Sequence, residues 1–207
     1  IVLVEKLPLP ELRLTSYKGQ EKRLIELAGG PLFLHLWSQG NTASVQALRE
    51  LARGKASLAQ AGIKLIPLCV DAAESQPGAE ALVSELGVEE HAGPASNELL
   101  QALDVILIEV RGNRMGVPLP TGLLCDSATQ LLVIYQGNLD FKAFAKDLSA
   151  ASSMPPARPS NALLMGGQWL SIPKRDYGQL ASQFAALGRT DLATFYSTLA
   201  RSKAEGR

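Results

Sequence analysis

Leu32-Phe33-Leu34-His35-Leu36-Trp37-Ser38-Gln39-Gly40-Asn41-Thr42-Ala43-Ser44 begins as an almost unbroken apolar run and ends as a polar turn. A strand covered on both faces needs such a run, because neither side of its pleat meets water. Leu32 to Trp37 is therefore the predicted central strand. Gly29-Gly30-Pro31 breaks the chain ahead of it. Beyond the turn, Val45, Leu48, Leu51 and Ala52 form one helical stripe, and the helix is expected to run to about Ala61 before Gly62 stops it. Ile63 to Val70 is a second apolar strand ending at Asp71. Strand, helix and strand in this length make a right-handed crossover with the strands parallel.

Outward from this unit, Pro8 and Pro10 flank a short strand expected at Glu11 to Thr15, with a turn near Lys18 and Gly19. Gly78 to Leu86 and Asn97 to Asp104 read as helices. Thr121 to Cys125 and Leu131 to Gln136 read as an antiparallel hairpin around Asp126-Ser127-Ala128-Thr129. Asn138 or Asp140 can cap a following helix, with Phe141, Phe144, Ala145 and Leu148 at helical spacing. Ser152 to Asn161, rich in Ser and Pro, reads as linker. The class is α/β, a central mixed sheet flanked by helices and followed by a C-terminal helical hairpin. The expected boundaries are a main domain over 1–151, a linker over 152–173 and the hairpin over 174–207.

A chain of 207 residues that is 46% hydrophobic can bury one sizeable core and a small appendage. Twenty Lys and Arg balance 20 Asp and Glu, with no basic block interleaved with aromatics, which excludes an electrostatic footprint for nucleic acid. The run Ile1 to Val4 is too short for a signal peptide or a membrane span, and the chain reads as a fragment or processed piece. Two cysteines occur, Cys69 and Cys125, each in an apolar run, as buried reduced thiols are. The strand order puts Leu32–Trp37 between the strands that carry them, and both are expected inside the sheet, away from its functional end.

The segment from Leu32 to Leu51 resembles the active-site region of the extracytoplasmic thioredoxins related to cytochrome-maturation reductases. In that family an apolar strand ends in Phe-Trp and a Cys-x-x-Cys opens the helix. Here Leu36-Trp37 holds the strand end, and Asn41-Thr42-Ala43-Ser44 stands where the two cysteines would be. Leu119-Pro120-Thr121 looks like the family's cis-proline loop, and Leu132-Val133-Ile134-Tyr135-Gln136-Gly137 like the strand that follows it. The resemblance spans residues 10 to 150 and implies a thioredoxin-like fold. In an active member, unpaired N–H groups and the helix dipole at the helix N-terminus stabilise the first cysteine as a thiolate. Asn41 cannot ionise or attack, and Ser44 cannot resolve a mixed disulfide, because its oxygen forms no stable bond to sulfur. The resemblance also implies a peptide groove. The residue before the cis-proline, here Leu119, offers backbone groups to an extended peptide, with Trp37, Thr42, Pro120 and Thr121 around it.

Other constellations carry less. His35 lies mid-strand and His91 in a loop, neither with a partner at ligand spacing, so no metal and no cofactor is expected. Ser44 lacks the Gly-x-Ser-x-Gly elbow of a hydrolase nucleophile, and an N-cap role for Thr42 or Ser44 is the expectation instead. From Tyr177 to Lys203, two amphipathic helices flank Gly188-Arg189-Thr190, with Asp191 as the expected second cap. Tyr177, Leu180, Ala181, Phe184, Ala193 and Ala200 stand at tetratricopeptide-repeat spacing, and Ser197 departs from it.

Together with Leu7-Pro8-Leu9-Pro10 and Val117-Pro118-Leu119-Pro120-Thr121, these features resemble the thioredoxin-like region of large bacterial proteins that join FG-GAP-type repeats, an ASPIC/UnbV segment and tetratricopeptide repeats. That resemblance implies an exported, planctomycete-like bacterial protein in which this module contacts a peptide, a protein or neighbouring repeats. The expected function is a redox-inactive binding or structural module. The alternative is a thiol–disulfide oxidoreductase or peroxidase-like enzyme that uses Cys69 or Cys125.

Overall fold

The computed structural model describes residues 1–27, 29–112, 116–137, 139, 144, 146–147, 169–170 and 175–205. It opens on β1 (Val2–Pro8), followed by β2 (Arg13–Thr15), β3 (Glu21–Arg23) and the single turn α1 (Leu24–Leu27). The crossover follows as β4 (Leu32–Trp37), α2 (Thr42–Arg53), α3 (Lys55–Gln60) and β5 (Lys64–Cys69). The helix expected to run unbroken to Ala61 divides at Gly54, which ends α2 and begins α3. Next come α4 (Gln76–Glu85), β6 (Gly93–Pro94) and α5 (Asn97–Arg111). The hairpin is β7 (Thr121–Cys125) and β8 (Gln130–Gln136). The chain closes with β9 (Trp169–Leu170), α6 (Tyr177–Ala186) and α7 (Thr190–Glu205).

Seven strands form one mixed sheet in the order β6-β5-β4-β7-β8-β1-β9. β4 lies parallel to β5 and antiparallel to β7, so the crossover and the hairpin meet on the predicted central strand. All six residues of β4 are buried, as its unbroken apolar sequence requires. β1 and β6 were not expected. β1 carries Glu5 and Lys6 within its length, and β6 has only two residues, so neither shows a strand period. In the hairpin turn, Asp126 accepts hydrogen bonds from the Ala128 and Gln130 N–H groups, and Thr129 turns the chain with φ 56°. Phe144, Lys146 and Asp147 are helical, within the stretch expected as a helix, while Phe141, Ala145 and Leu148 lie outside the described residues. So does the proposed linker Ser152 to Asn161.

Phe33, His35 and Trp37 share one face of β4 by the two-residue period of a strand. Phe33 packs in a core with Leu51, Leu58, Leu124, Leu132 and Phe144, its ring 4.5 Å from that of Phe144. Trp37 packs in a second core with Leu48, Cys69, Val83 and Val88. α2 therefore reaches both cores through Leu48 and Leu51, the stripe visible in the sequence.

The chain divides into two compact units, Ile1–Ser96 with Pro118–Ser171, and Asn97–Val117 with Ile172–Arg207. α5, expected inside the main domain, thus groups with the tail. Within that second unit α5 contacts α6, and α6 pairs with α7. Phe184 and Tyr196 stack at 5.6 Å with planes 4° apart, holding the two helices of the hairpin together. Asp176 caps α6 by accepting from the Gln179 N–H at 2.8 Å. α7 begins at Thr190, so Asp191 lies inside its first turn rather than at the expected cap, and its carboxylate pairs with Arg189 at 3.1 Å. Among the described residues no helix is long and apolar enough to cross a membrane.

Candidate functional site

Three chain segments converge at the carboxyl ends of β4 and β5. Trp37 and Cys69 are register partners that close the two parallel strands. Leu36 pairs with Thr121, so one step along the antiparallel ladder sets Pro120 beside Trp37. The Leu119–Pro120 bond is cis. The turn after Trp37 leads into the first turn of α2, which completes the site.

Asn41 is the N-cap of α2. Its backbone is extended (φ −110°, ψ 107°), and its side-chain oxygen accepts from the Ser44 N–H at 2.9 Å. Asparagine is among the strongest N-cap residues because its short carbonyl reaches the orphan N–H three positions on. The expected capping by Thr42 or Ser44 is therefore corrected: both lie inside the helix, and Asn41 does the capping. Ser44 is fully buried, and among the described residues its hydroxyl has no hydrogen-bond partner. Thr42 is exposed on the first turn.

The residues expected around a peptide divide by burial. Trp37 is 0% exposed and cannot touch a peptide; as a large side chain on a strand covered on both faces, it becomes core. Thr121 is also fully buried, and its hydroxyl donates to the Pro118 carbonyl at 2.6 Å, closing the loop on itself. Pro120 is buried, and its carbonyl accepts from the Gly137 N–H at 3.1 Å. Leu119 is half-buried, and among the described residues no hydrogen bond reaches its N–H or its carbonyl. Thr42 and Leu119 are what remains accessible of that set.

A polar lock that the sequence reading missed ties the turn down. Asp71 accepts from the Gln39 N–H at 2.8 Å, from the Gln39 side chain at 3.3 Å and from the Cys69 thiol at 3.4 Å. Gln76 donates to the Asp71 carbonyl and accepts from the Tyr17 hydroxyl at 2.8 Å. Burial pushes the Asp71 carboxyl up, but the hydrogen bonds from Ser38, Gln39 and Cys69 together outweigh it and hold it below the usual carboxylate range. The available signal was Asp71 itself, an acid closing an apolar strand at the same end as Trp37.

The cysteines also need a correction. Cys125 closes β7 opposite Leu32, at the other end of the sheet, and burial pushes its thiol up. Cys69, expected away from the functional end, stands at it, because β5 ends there. It is nevertheless fully buried and free of any disulfide. Burial, assisted by the Asp71 carboxylate, pushes its thiol up to about 11, against the opposing hydrogen bond from the Asp71 backbone. At that value about one molecule in ten thousand is thiolate at neutral pH. His35, on the same face as Trp37, is 2% exposed, and burial lowers it to about 4 against a hydrogen bond to the Ser44 backbone. Among the described residues, the Nε2 of His35 and the Nε1 of Trp37 are buried with no hydrogen-bond partner. His91 lies with Glu90 on another loop, away from these groups. No group of three or more His, Cys, Asp or Glu able to hold a metal occurs among the described residues.

No protein-family model and no curated protein sequence matches this chain. Solved structures do. A thioredoxin-family thiol:disulfide interchange protein from Chlorobium tepidum TLS matches with a TM-score of 0.61 at 15% identity, over 72% of this chain and 98% of its own. A hypothetical protein from Sinorhizobium meliloti 1021 matches with a TM-score of 0.56 at 16% identity, over 71% of this chain and 83% of its own. A secreted Mycobacterium tuberculosis disulfide oxidoreductase, homologous to E. coli DsbE, matches with a TM-score of 0.50 at 13% identity, over 69% of this chain and 95% of its own. At such identities the likeness is one of fold, and that fold is thioredoxin-like, with a C-terminal pair of helices following it.

Proposed function

We propose that this chain is a redox-inactive thioredoxin-like module that binds an extended peptide or protein segment. The observation that carries the reading is the state of the Leu119–Pro120 loop and its neighbour. The N–H and carbonyl of Leu119 are unpaired among the described residues, and the helix start that follows β4 carries Asn41 and Ser44 where the family resemblance implies thiols. An extended segment laid along Leu119 would satisfy both backbone groups in the manner of an added strand, with Thr42 at its side. Thiol chemistry is left without a nucleophile there, because Asn41 caps the helix and Cys69 is buried and protonated. The sequence resemblance to the thioredoxin-like region of exported FG-GAP, ASPIC/UnbV and tetratricopeptide-repeat proteins extends this proposal to a scaffold role within a larger chain outside the cytoplasm.

The test is reduction of insulin disulfides by the natural chain beside an Asn41→Cys/Ser44→Cys double variant. The expected outcome is no turnover by the natural chain and measurable turnover by the variant. Turnover by the natural chain that disappears in Cys69→Ser would overturn the proposal in favour of an oxidoreductase.

A further inference from the structure

Three buried polar side chains lie between β4 and the first two turns of α2. His35 and Trp37 stand two residues apart on one face of β4, about 7 Å along the strand. The His35 ring is hydrogen-bonded to the Ser44 backbone, and Trp37 packs on Leu48, one helical turn beyond Ser44 on the same face of α2. His35 is 2% exposed, and Trp37 and Ser44 are fully buried. Among the described residues, His35 Nε2, Trp37 Nε1 and the Ser44 hydroxyl have no hydrogen-bond partner. The strands beside them offer none. His35 lies between Pro67 and Gly122, neither of which has a polar side chain. The Cys69 thiol beside Trp37 donates to Asp71, and the Thr121 hydroxyl donates to the Pro118 carbonyl. Native interiors leave few buried polar groups unpaired, so three on facing surfaces of one strand and one helix call for a common partner.

The chemistry of the three atoms says what that partner is. Burial lowers His35 to about 4, so its ring is neutral at ordinary pH. The Ser44 N–H already goes to Asn41, so the ring donates through Nδ1 to the Ser44 carbonyl, and Nε2 is left as a lone-pair acceptor. Trp37 Nε1 can only donate, and a hydroxyl can do either. One acceptor, one donor and one group able to be both are the complement of water, which stays buried where it finds two to four polar partners. We propose that a single buried water molecule binds here, donating to His35 Nε2, accepting from Trp37 Nε1 and hydrogen-bonding to the Ser44 hydroxyl. It ties the first turn of α2, which carries Thr42, to the central strand. The site is independent of the peptide reading at Leu119.

The test is paired NOE and ROE spectroscopy of the full chain, read at the Trp37 indole proton, whose signal is assigned with Trp37→Phe. The expected result is a cross-peak to water with the sign that marks a long-lived bound molecule. His35→Leu, which removes the acceptor, is expected to abolish it. Ser44→Ala, which leaves two of the three partners, is expected to weaken it. Absence of a bound-water cross-peak in the natural chain would overturn the proposal without relying on any variant. So would a scalar coupling across a direct hydrogen bond from Trp37 Nε1 to His35 Nε2, or persistence of the full cross-peak in either variant.

Discussion

Asn41 shows how a single side chain redirects a helix start. At the N-terminus of α2 the orphan N–H groups favour any acceptor that can reach them, and the Asn41 carbonyl does so at 2.9 Å. Asn41→Ala is expected to lower stability by about 1 kcal/mol, while Asn41→Asp retains it, both read from urea unfolding midpoints at constant m. His35 provides the titration. Its folded value of about 4 lies below the ordinary histidine value near 6.5, so the unfolded chain takes up a proton that the native state refuses. Stability from this group is complete above pH 6.5 and falls as pH drops towards 4, by about 3 kcal/mol across that window. His35→Leu is expected to remove that part of the acid slope, and an unchanged slope in pH-resolved unfolding would refute the assignment.

Strand pairing decides where these residues meet. Gly122 on β7 faces His35 in register, and a Cβ there would stand 2.3 Å from the tip of the Phe33 ring. That ring is held by Phe144 and Tyr135, with centroids at 4.5 and 5.7 Å. It has little room to retreat. Gly122→Ala is therefore expected to cost about 1–3 kcal/mol through overpacking, measured by thermal or urea unfolding, and Phe33→Leu in the same chain should recover part of the loss. The Asp71 lock works at the same scale, since it fastens the turn after β4 to the turn after β5.

Across the whole molecule, both thiols are inside. Iodoacetamide is expected to label neither Cys69 nor Cys125 in the native state and both after unfolding, followed by intact mass. Labelling of Cys69 at native-state rates comparable to a free thiol would mean that the end of β5 opens. The division into two units also belongs to this scale. α5 precedes the hairpin strands in the chain yet clusters with α6 and α7 far downstream. A helix's own sequence says which stripe it buries, not which neighbour covers it.

The sequence by itself determined the central crossover, the hairpin and the absence of a thiol pair at the helix start. These depend on local period, turn chemistry and residue identity, which need no partner to be read. It did not determine β1, whose Glu5 and Lys6 obscure any strand period, or β6, which exists only through its pairing with Leu68 and Cys69. Only the tertiary structure decided that Trp37 and Thr121 are core rather than surface, and that Asn41 caps while Ser44 is buried. It alone brought Cys69 to the end of the sheet beside Asp71. Burial and register are properties of what packs against a residue, and that packing is settled by segments as distant as Tyr17, Gln76 and Pro120.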